Sequence, residues 1–232
     1  MPGGRRILIT GASRGLGLAL ASHYAALGDT VWGCARGEAG LQHPNYEHFR
    51  LDVAKEADVE ELFVALRPRG LDVLVNNAGA ASMNAIALTT AAAARSVIDT
   101  NFVGTFLCTR AAVRLLRASP AGRIVNLTSV AVPLRLEGEA IYAASKAAVE
   151  TFTRITVREV AGFNITCNAV GPSPVPTRLT SGVPEEKIEA LLRRQAIARW
   201  AEPADVINVV DFFLRAESRM VTGQVVYLGG AG

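Results

Sequence analysis

The chain has 232 residues, half of them hydrophobic and 19% charged, with a formal net charge of +3. That composition belongs to a globular protein whose core needs no disulfides, and the length suits one α/β domain. The basic residues are scattered, with no polybasic tract and no interleaved aromatics, which argues against a nucleic-acid partner.

The first element in chain order is RRILIT (Arg5 to Thr10), a short β-branched-rich run that reads as a buried strand. GLGLALASHYAALG (Gly15 to Gly28) sets Leu16, Leu20, Tyr24 and Leu27 at helical spacing and stops at a glycine. TVWGCAR (Thr30 to Arg36) and YEHFRLDV read as the second and third strands, followed by a helix in KEADVEELFVALR. LDVLVNNAG (Leu71 to Gly79) is a fourth strand that runs into an Asn/Gly turn. An Ala-rich helical stretch then precedes TNFVGTFLCTRAAVRLLRA (Thr100 to Ala118), and GRIVNLTS (Gly122 to Ser129) is the next strand. YAASKAAVETFTRITVREVA reads as a further helix, NITCNAVGP as a strand and GQVVYL as the last one.

Strands and helices alternate without a linker, repeat or low-complexity tract. The expectation is a single doubly wound Rossmann-type α/β domain over residues 1–232, with about seven parallel strands and helices on both faces. Cys34, Cys108 and Cys167 are far apart and lack metal-ligand spacing, so buried free thiols and no metal site are expected. MPGGRRILIT has only a short apolar run before Gly11, unlike a signal peptide, and no stretch approaches the ~20 apolar residues of a membrane helix. A soluble, cytoplasmic protein without a membrane partner is expected.

In such a sheet, ligands bind beyond the carboxyl ends of the strands, where the strand order reverses. The turn after the first strand carries Gly11, Gly15 and Gly17 in a G-x-x-x-G-x-G spacing. Glycines there let backbone approach a phosphate, and the helix that follows offers unpaired N–H groups to an anion. A plain strand-to-helix turn with small residues for packing would look the same.

The remaining motifs separate these readings. TGASRGLG (Thr10 to Gly17), NNAG (Asn76 to Gly79), Asn101, Ser129 and YAASK (Tyr142 to Lys146) occur in the order and at the separations of the short-chain dehydrogenase/reductase family. The chain resembles that family over nearly its whole length, and most of all its 3-oxoacyl-acyl-carrier-protein reductases. The resemblance implies an oxidoreductase that moves hydride between a nicotinamide and a carbonyl or secondary alcohol.

Tyr142 and Lys146 are four apart on one helix, so they share a face. The lysine ammonium is expected to draw the phenol's pKa towards working pH, making Tyr142 the acid–base catalyst. By resemblance, Lys146 also bonds the nicotinamide ribose, Ser129 polarises the carbonyl and Asn101 holds a water of the proton relay. Helix capping is the rival role for Asn101.

An acid after the second strand would favour NAD(H), but Ala35 and then Arg36 stand there, and Arg14 adds a second positive charge. Two guanidinium groups suit a 2′-phosphate, so NADP(H) is expected over NAD(H), the alternative being a solvated pair of surface arginines. The expected cofactor contacts are Gly11, Ser13, Arg14, Gly15, Leu16 and Gly17, then Arg36, Asp52 and Val53. Further along come Asn77, Ala78 and Gly79, then Tyr142 and Lys146, with Pro172, Val175 and Thr177 meeting the nicotinamide. By the same resemblance Asp52 bonds the adenine and Asn76 is mainly structural. Ser173 stands where the family motif has glycine, which alters the expected backbone path.

Residues at about 180–200 resemble a substrate lid, with Pro184 starting a helix and Leu191 and Leu192 on its apolar face. Phe163 replaces an arginine usual in the carrier-protein reductases, and Trp200 is expected to narrow the pocket. A 3-oxoacyl thioester and another ketone (sugar, polyketide or small secondary alcohol pair) therefore both stand as substrates. A dinucleotide-binding sensor without turnover is the reading from another class. NFVGTFLCTRAAVRLLRA and YAASKAAVETFTRITVREV carry more apolar and small residues than a one-sided surface helix needs, which suggests a homotetramer, or else a dimer.

Overall fold

The computed structural model describes residues 4–177, 180–181 and 183–231. Seven strands form one sheet: β1 (Arg6–Thr10), β2 (Thr30–Ala35), β3 (Tyr46–Arg50), β4 (Val73–Asn76), β5 (Gly122–Leu127), β6 (Ile165–Gly171) and β7 (Val225–Tyr227). All pairings are parallel, in the order β3-β2-β1-β4-β5-β6-β7. The expected doubly wound fold is therefore present.

Successive strand residues point to opposite faces, and here both faces are covered, which explains the unbroken apolar runs. Ile7, Ile9, Val73 and Val75 pack on one face against Leu20 and Tyr24 of α1 (Gly15–Ala26) and Val206, Val210 and Phe213 of α8 (Pro203–Leu214). Leu8, Trp32, Leu74 and Ile124 pack on the other, against Leu62 and Leu66 of α2 (Glu56–Leu66) and Leu107 and Leu116 of α4 (Gly104–Leu116). The three cysteines are buried and free, and burial pushes the Cys34 and Cys167 thiols up to about 12. They are inert core side chains.

The Ala-rich stretch becomes α3 (Ala91–Ile98), which continues into α4 through a π-helical turn at Asp99–Val103. The sequence suggested two helical segments; the structure joins them, and the wide turn directs Asn101 inward. Two more helices follow β5, the one-turn α5 (Ala131–Leu134) and the long α6 (Ala140–Val160). The expected helix after Pro184 is α7 (Glu185–Leu192).

The order reverses between β1 and β4. β1 feeds α1 on one face, and β4 leads towards α3 and α4 on the other, so a crevice opens beyond their carboxyl ends.

Candidate functional site

A cavity of about 680 Å³ occupies that crevice. Its volume suits a ligand of cofactor or drug size. Every residue chosen from the sequence as a cofactor contact lines it, from Gly11 through Arg36, Asp52 and Gly79 to Pro172, Val175 and Thr177. Ser129, Tyr142 and Lys146 line it as well.

Each fingerprint glycine is required for its own reason. Gly11 sits at φ +70°, and its N–H donates to the Cys34 carbonyl at 2.7 Å. Gly15 sits at φ +55°, where a side chain would face the Thr177 methyl. Gly17 has ordinary dihedrals, but a Cβ there would lie 2.3 Å from the Gly11 carbonyl oxygen and 2.4 Å from Asn77 Nδ2. The turn is locked to β4 by Asn77, whose Nδ2 donates to the Thr10 carbonyl at 2.8 Å. Thr10 Oγ1 accepts from the N–H groups of Asn77 and Ala78. No side chain caps the α1 N-terminus, so its amides face the cavity unpaired by a cap.

Asn76 is structural, as expected: its Nδ2 donates to Asn126 Oδ1 and Thr109 Oγ1 inside the sheet. Asp52 Oδ1 accepts from the Ala54 N–H at 3.1 Å, and Val53 packs against Gly104. Arg14 and Arg36 are exposed at the rim, and neither forms an ion pair among the described residues. Their guanidinium groups are available to an anion.

Ser129 follows β5, and its Oγ accepts from the Ala131 N–H at 3.1 Å. Tyr142 stands in the first turn of α6, with Ser129 close enough to act on its phenol. Burial pushes the phenol up to about 12; the neighbouring Ser129 hydroxyl opposes that rise, and the nearby Glu139 charge adds to it. Lys146, one turn further on, is 4% exposed, and burial alone brings its ammonium down to about 8. Its Nζ donates to the Leu127 carbonyl at 2.8 Å. The direction at Tyr142 is thus opposite to the expected one, because burial outweighs what the ammonium supplies. One of the three ammonium protons is held by the end of β5, and two remain for a ligand.

Asn101 also differs from its expected place. It is fully buried behind the cavity wall and is not part of the lining. Its Oδ1 accepts from the Ala80 N–H at 2.7 Å, and its Nδ2 donates to the Ala80 carbonyl and to Ser145 Oγ, both at 2.9 Å. Both amide protons are thus taken, so a water held here would donate to Oδ1, and inside a π turn the side chain caps no helix. It is a positioning residue that clamps the β4 loop onto α6.

Ser173 Oγ donates to Gln195 Oε1 at 2.8 Å, so the residue in the glycine position ties the loop after β6 to the segment after α7. Val175 and Thr177 still line the cavity, and Thr180 Oγ1 donates to the Val175 carbonyl. Arg178 and Leu179 of that loop, and Gly182, lie outside the described residues. Ile188 and Leu191 of α7 reach the cavity, whereas Leu192 is buried beside them. Trp200 is not among the lining residues, so it does not narrow the pocket as expected; it packs against the apolar cluster that includes Leu134 and Leu192. Phe163 lies at the surface with the Arg117 guanidinium stacked 4.0 Å over its ring.

Among the lining residues that the sequence does not single out, one is charged. Glu139 is 6% exposed, three residues before Tyr142, and burial raises its carboxyl. The signal was available: residues three apart at a helix start share a face, so an acid there accompanies the tyrosine. No group of metal-ligating side chains occurs among the described residues, and no helix there is long and apolar enough to cross a membrane.

A family model described as Enoyl-(Acyl carrier protein) reductase matches residues 11–230. The 3-oxoacyl-[acyl-carrier-protein] reductase FabG of Vibrio cholerae is 32% identical, covering 98% of this chain and 96% of its own. Among solved structures, the aldohexose dehydrogenase of Thermoplasma acidophilum superposes with a TM-score of 0.89 at 27% identity, over 99% of this chain and 94% of that one. A variant actinorhodin polyketide ketoreductase solved with NADPH has a TM-score of 0.88 at 30% identity, over 98% and 96%.

Proposed function

Because the chain belongs to the short-chain dehydrogenase/reductase family of oxidoreductases, we propose that it moves hydride between NADP(H) and a ketone or secondary alcohol. The observation that carries this is the meeting of Ser129, Tyr142 and Lys146 on the cavity that also holds the glycine turn. The cradle fits a dinucleotide. Gly11 and Gly17 leave no room for a Cβ, the α1 amides face the cavity uncapped, and two unpaired arginines stand at the rim beside Ala35. A bound nicotinamide supplies or accepts the hydride.

In reduction, Ser129 Oγ and Tyr142 Oη share the carbonyl oxygen, and Tyr142 gives it a proton. A phenol held near 12 is fully protonated at neutral pH, so the donor is always loaded. Lys146, anchored on Leu127 and adjoining Gly79, is placed to bind the nicotinamide ribose. The segment over 180–200 covers the substrate end through Ile188 and Leu191 and serves as the lid. A soluble cytoplasmic homo-oligomer, a tetramer or else a dimer, completes the reading.

The substrate suggested by the FabG relatives is a 3-oxoacyl thioester. Phe163, in place of the arginine expected from the resemblance, favours a ketone without a carrier protein. The test is NADPH oxidation with acyl-thioester, sugar and simple ketone substrates, comparing wild type with Tyr142→Phe. Turnover that falls ~100-fold or more in the variant, with NADPH binding kept, supports the reading. Tight NADPH binding without turnover of any carbonyl would replace it with a sensor.

A further inference from the structure

Glu139 has the geometry of a binding group without a partner. It is the N-cap residue of α6, yet its side chain makes no capping hydrogen bond. Its backbone is fixed at both ends: the N–H donates to the Leu136 carbonyl, and the carbonyl accepts from the Ala143 N–H at 2.8 Å. The residue is 6% exposed and lines the cavity, and its side chain takes neither an ion pair nor a hydrogen bond among the described residues. Burial raises the carboxyl, and a donor entering the cavity would stabilise its charged form.

The other charged lining residues are accounted for. Arg14 and Arg36 belong to the rim near the glycine turn, Asp52 accepts from its own loop, and Lys146 is bound to Leu127. Glu139 instead stands with Tyr142, close enough for its charge to bear on the phenol. Around that end of the cavity the lining is apolar, with Met83, Val130, Ile188 and Leu191. An acceptor at this place orients a substrate whose reacting oxygen is held by Ser129 and Tyr142.

We propose that Glu139 selects the substrate, accepting a hydrogen bond from a hydroxyl or ammonium group carried close to the reacting carbonyl. The substrate class is then a hydroxylated or amino ketone and its reduced diol or amino alcohol. A keto acid is repelled, and an unfunctionalised ketone leaves the carboxylate unpaired. This rests on the reductase reading and adds to it the identity of the group beside the carbonyl. The reaction keeps its balance: one hydride to carbon from NADPH, one proton to oxygen from Tyr142, with Glu139 unchanged.

The experiment measures kcat and KM with NADPH for four ketones of matched size, bearing hydroxyl, ammonium, methyl or carboxylate at the same position. Wild type, Glu139→Leu and Glu139→Gln are compared. The expected result is a wild-type kcat/KM at least ~10-fold higher for the hydroxy or amino ketone than for the methyl one, carried mainly by KM. Whichever of the two leads identifies the donor. In Glu139→Leu the ratio of kcat/KM between the hydroxy or amino ketone and the methyl one falls to about one, and in Glu139→Gln, which keeps one acceptor oxygen, it is partly retained. Wild type that reduces the methyl ketone equally well, or a preference that survives in Glu139→Leu, overturns the proposal and leaves the reductase reading standing. Failure to reduce all four, in wild type and Tyr142→Phe alike, overturns both.

Discussion

Lys146 Nζ donates to the Leu127 carbonyl at 2.8 Å, tying the fourth residue after Tyr142 to the last residue of β5. The bond holds a buried ammonium at the point where sheet and helix meet the cavity. Burial lowers that ammonium from 10.5 to about 8. Below about pH 8, folded and unfolded chains both carry the proton, and stability does not depend on this group. Between about 8 and 10.5 the unfolded chain binds one more proton than the folded one, so stability rises with pH across that window. The rise amounts to something on the order of 3 kcal/mol, which is what the charged form costs at neutral pH.

Lys146→Met is therefore expected to raise Tm at pH 7 and to lose this advantage over wild type between pH 8 and 10.5, while activity falls ~100-fold or more. Thermal melts of both proteins across that range check it. A variant that melts lower than wild type at pH 7 would show that the Leu127 bond outweighs the burial cost.

The fold was legible because its signals are local and redundant. Ile7, Leu8 and Ile9 read as a strand buried on both faces, and Gly11, Gly15 and Gly17 mark a turn whose every position has a steric reason. The cavity lining followed because the motifs lie at strand ends that parallel topology brings together. What escaped depends on three-dimensional partners. The π turn at Asp99–Val103 has no composition of its own, so nothing in TNFVG shows that Asn101 turns inward to Ala80 and Ser145. Trp200 reads as a pocket residue because it stands where small or aliphatic side chains are usual, whereas it packs against the apolar cluster that joins Leu134 to α7. The sign of the Tyr142 shift is set by burial of the phenol, which the four-residue spacing to Lys146 does not reveal.

Arg36 follows Ala35 at the end of β2, and with Arg14 it is unpaired at the cavity rim. A guanidinium bonded to a 2′-phosphate is worth about 1.5–3 kcal/mol, or roughly ten- to a hundredfold in affinity. Arg36→Ala is expected to raise the KM for NADPH by that factor and leave NADH nearly unchanged. Adding Ala35→Asp, whose carboxylate repels the phosphate and bonds a 2′-hydroxyl, should reverse the preference. Initial rates with both cofactors decide it. Equal losses for NADH and NADPH would remove the arginines from phosphate recognition.

Gly17 offers a steric test with an internal control. A Cβ there meets the Gly11 carbonyl oxygen at 2.3 Å, whereas one at Gly162 meets nothing within 4 Å. Backbone on the facing turn cannot give way without moving β1 from α1. Gly17→Ala is expected to cost about 1–3 kcal/mol and to weaken cofactor binding with it, and Gly162→Ala to stay within about 0.5 kcal/mol. Urea midpoints and a fluorescence titration with NADPH measure both effects. Unchanged NADPH affinity in a folded Gly17→Ala protein would show that the turn is not the phosphate cradle.

The outer surface of α4 and α6 carries the last prediction. Phe106 is 38% exposed and Ile155 is 53% exposed, and Phe152 stacks edge-on against both Phe102 and Phe106, at 6.0 and 6.3 Å. These two neighbouring helices thus share an apolar strip facing outward, while their opposite sides already fill the core. A strip of this kind on a helix pair fits helix-on-helix packing between subunits. Light scattering is expected to give a mass at least twice the 24.5 kDa of one chain. Phe106→Glu with Ile155→Glu should bring it down to a monomer, since each partner would bury two unpaired charges. A wild-type protein that runs as a monomer, or a double variant that keeps its mass, would exclude this face as the contact between copies.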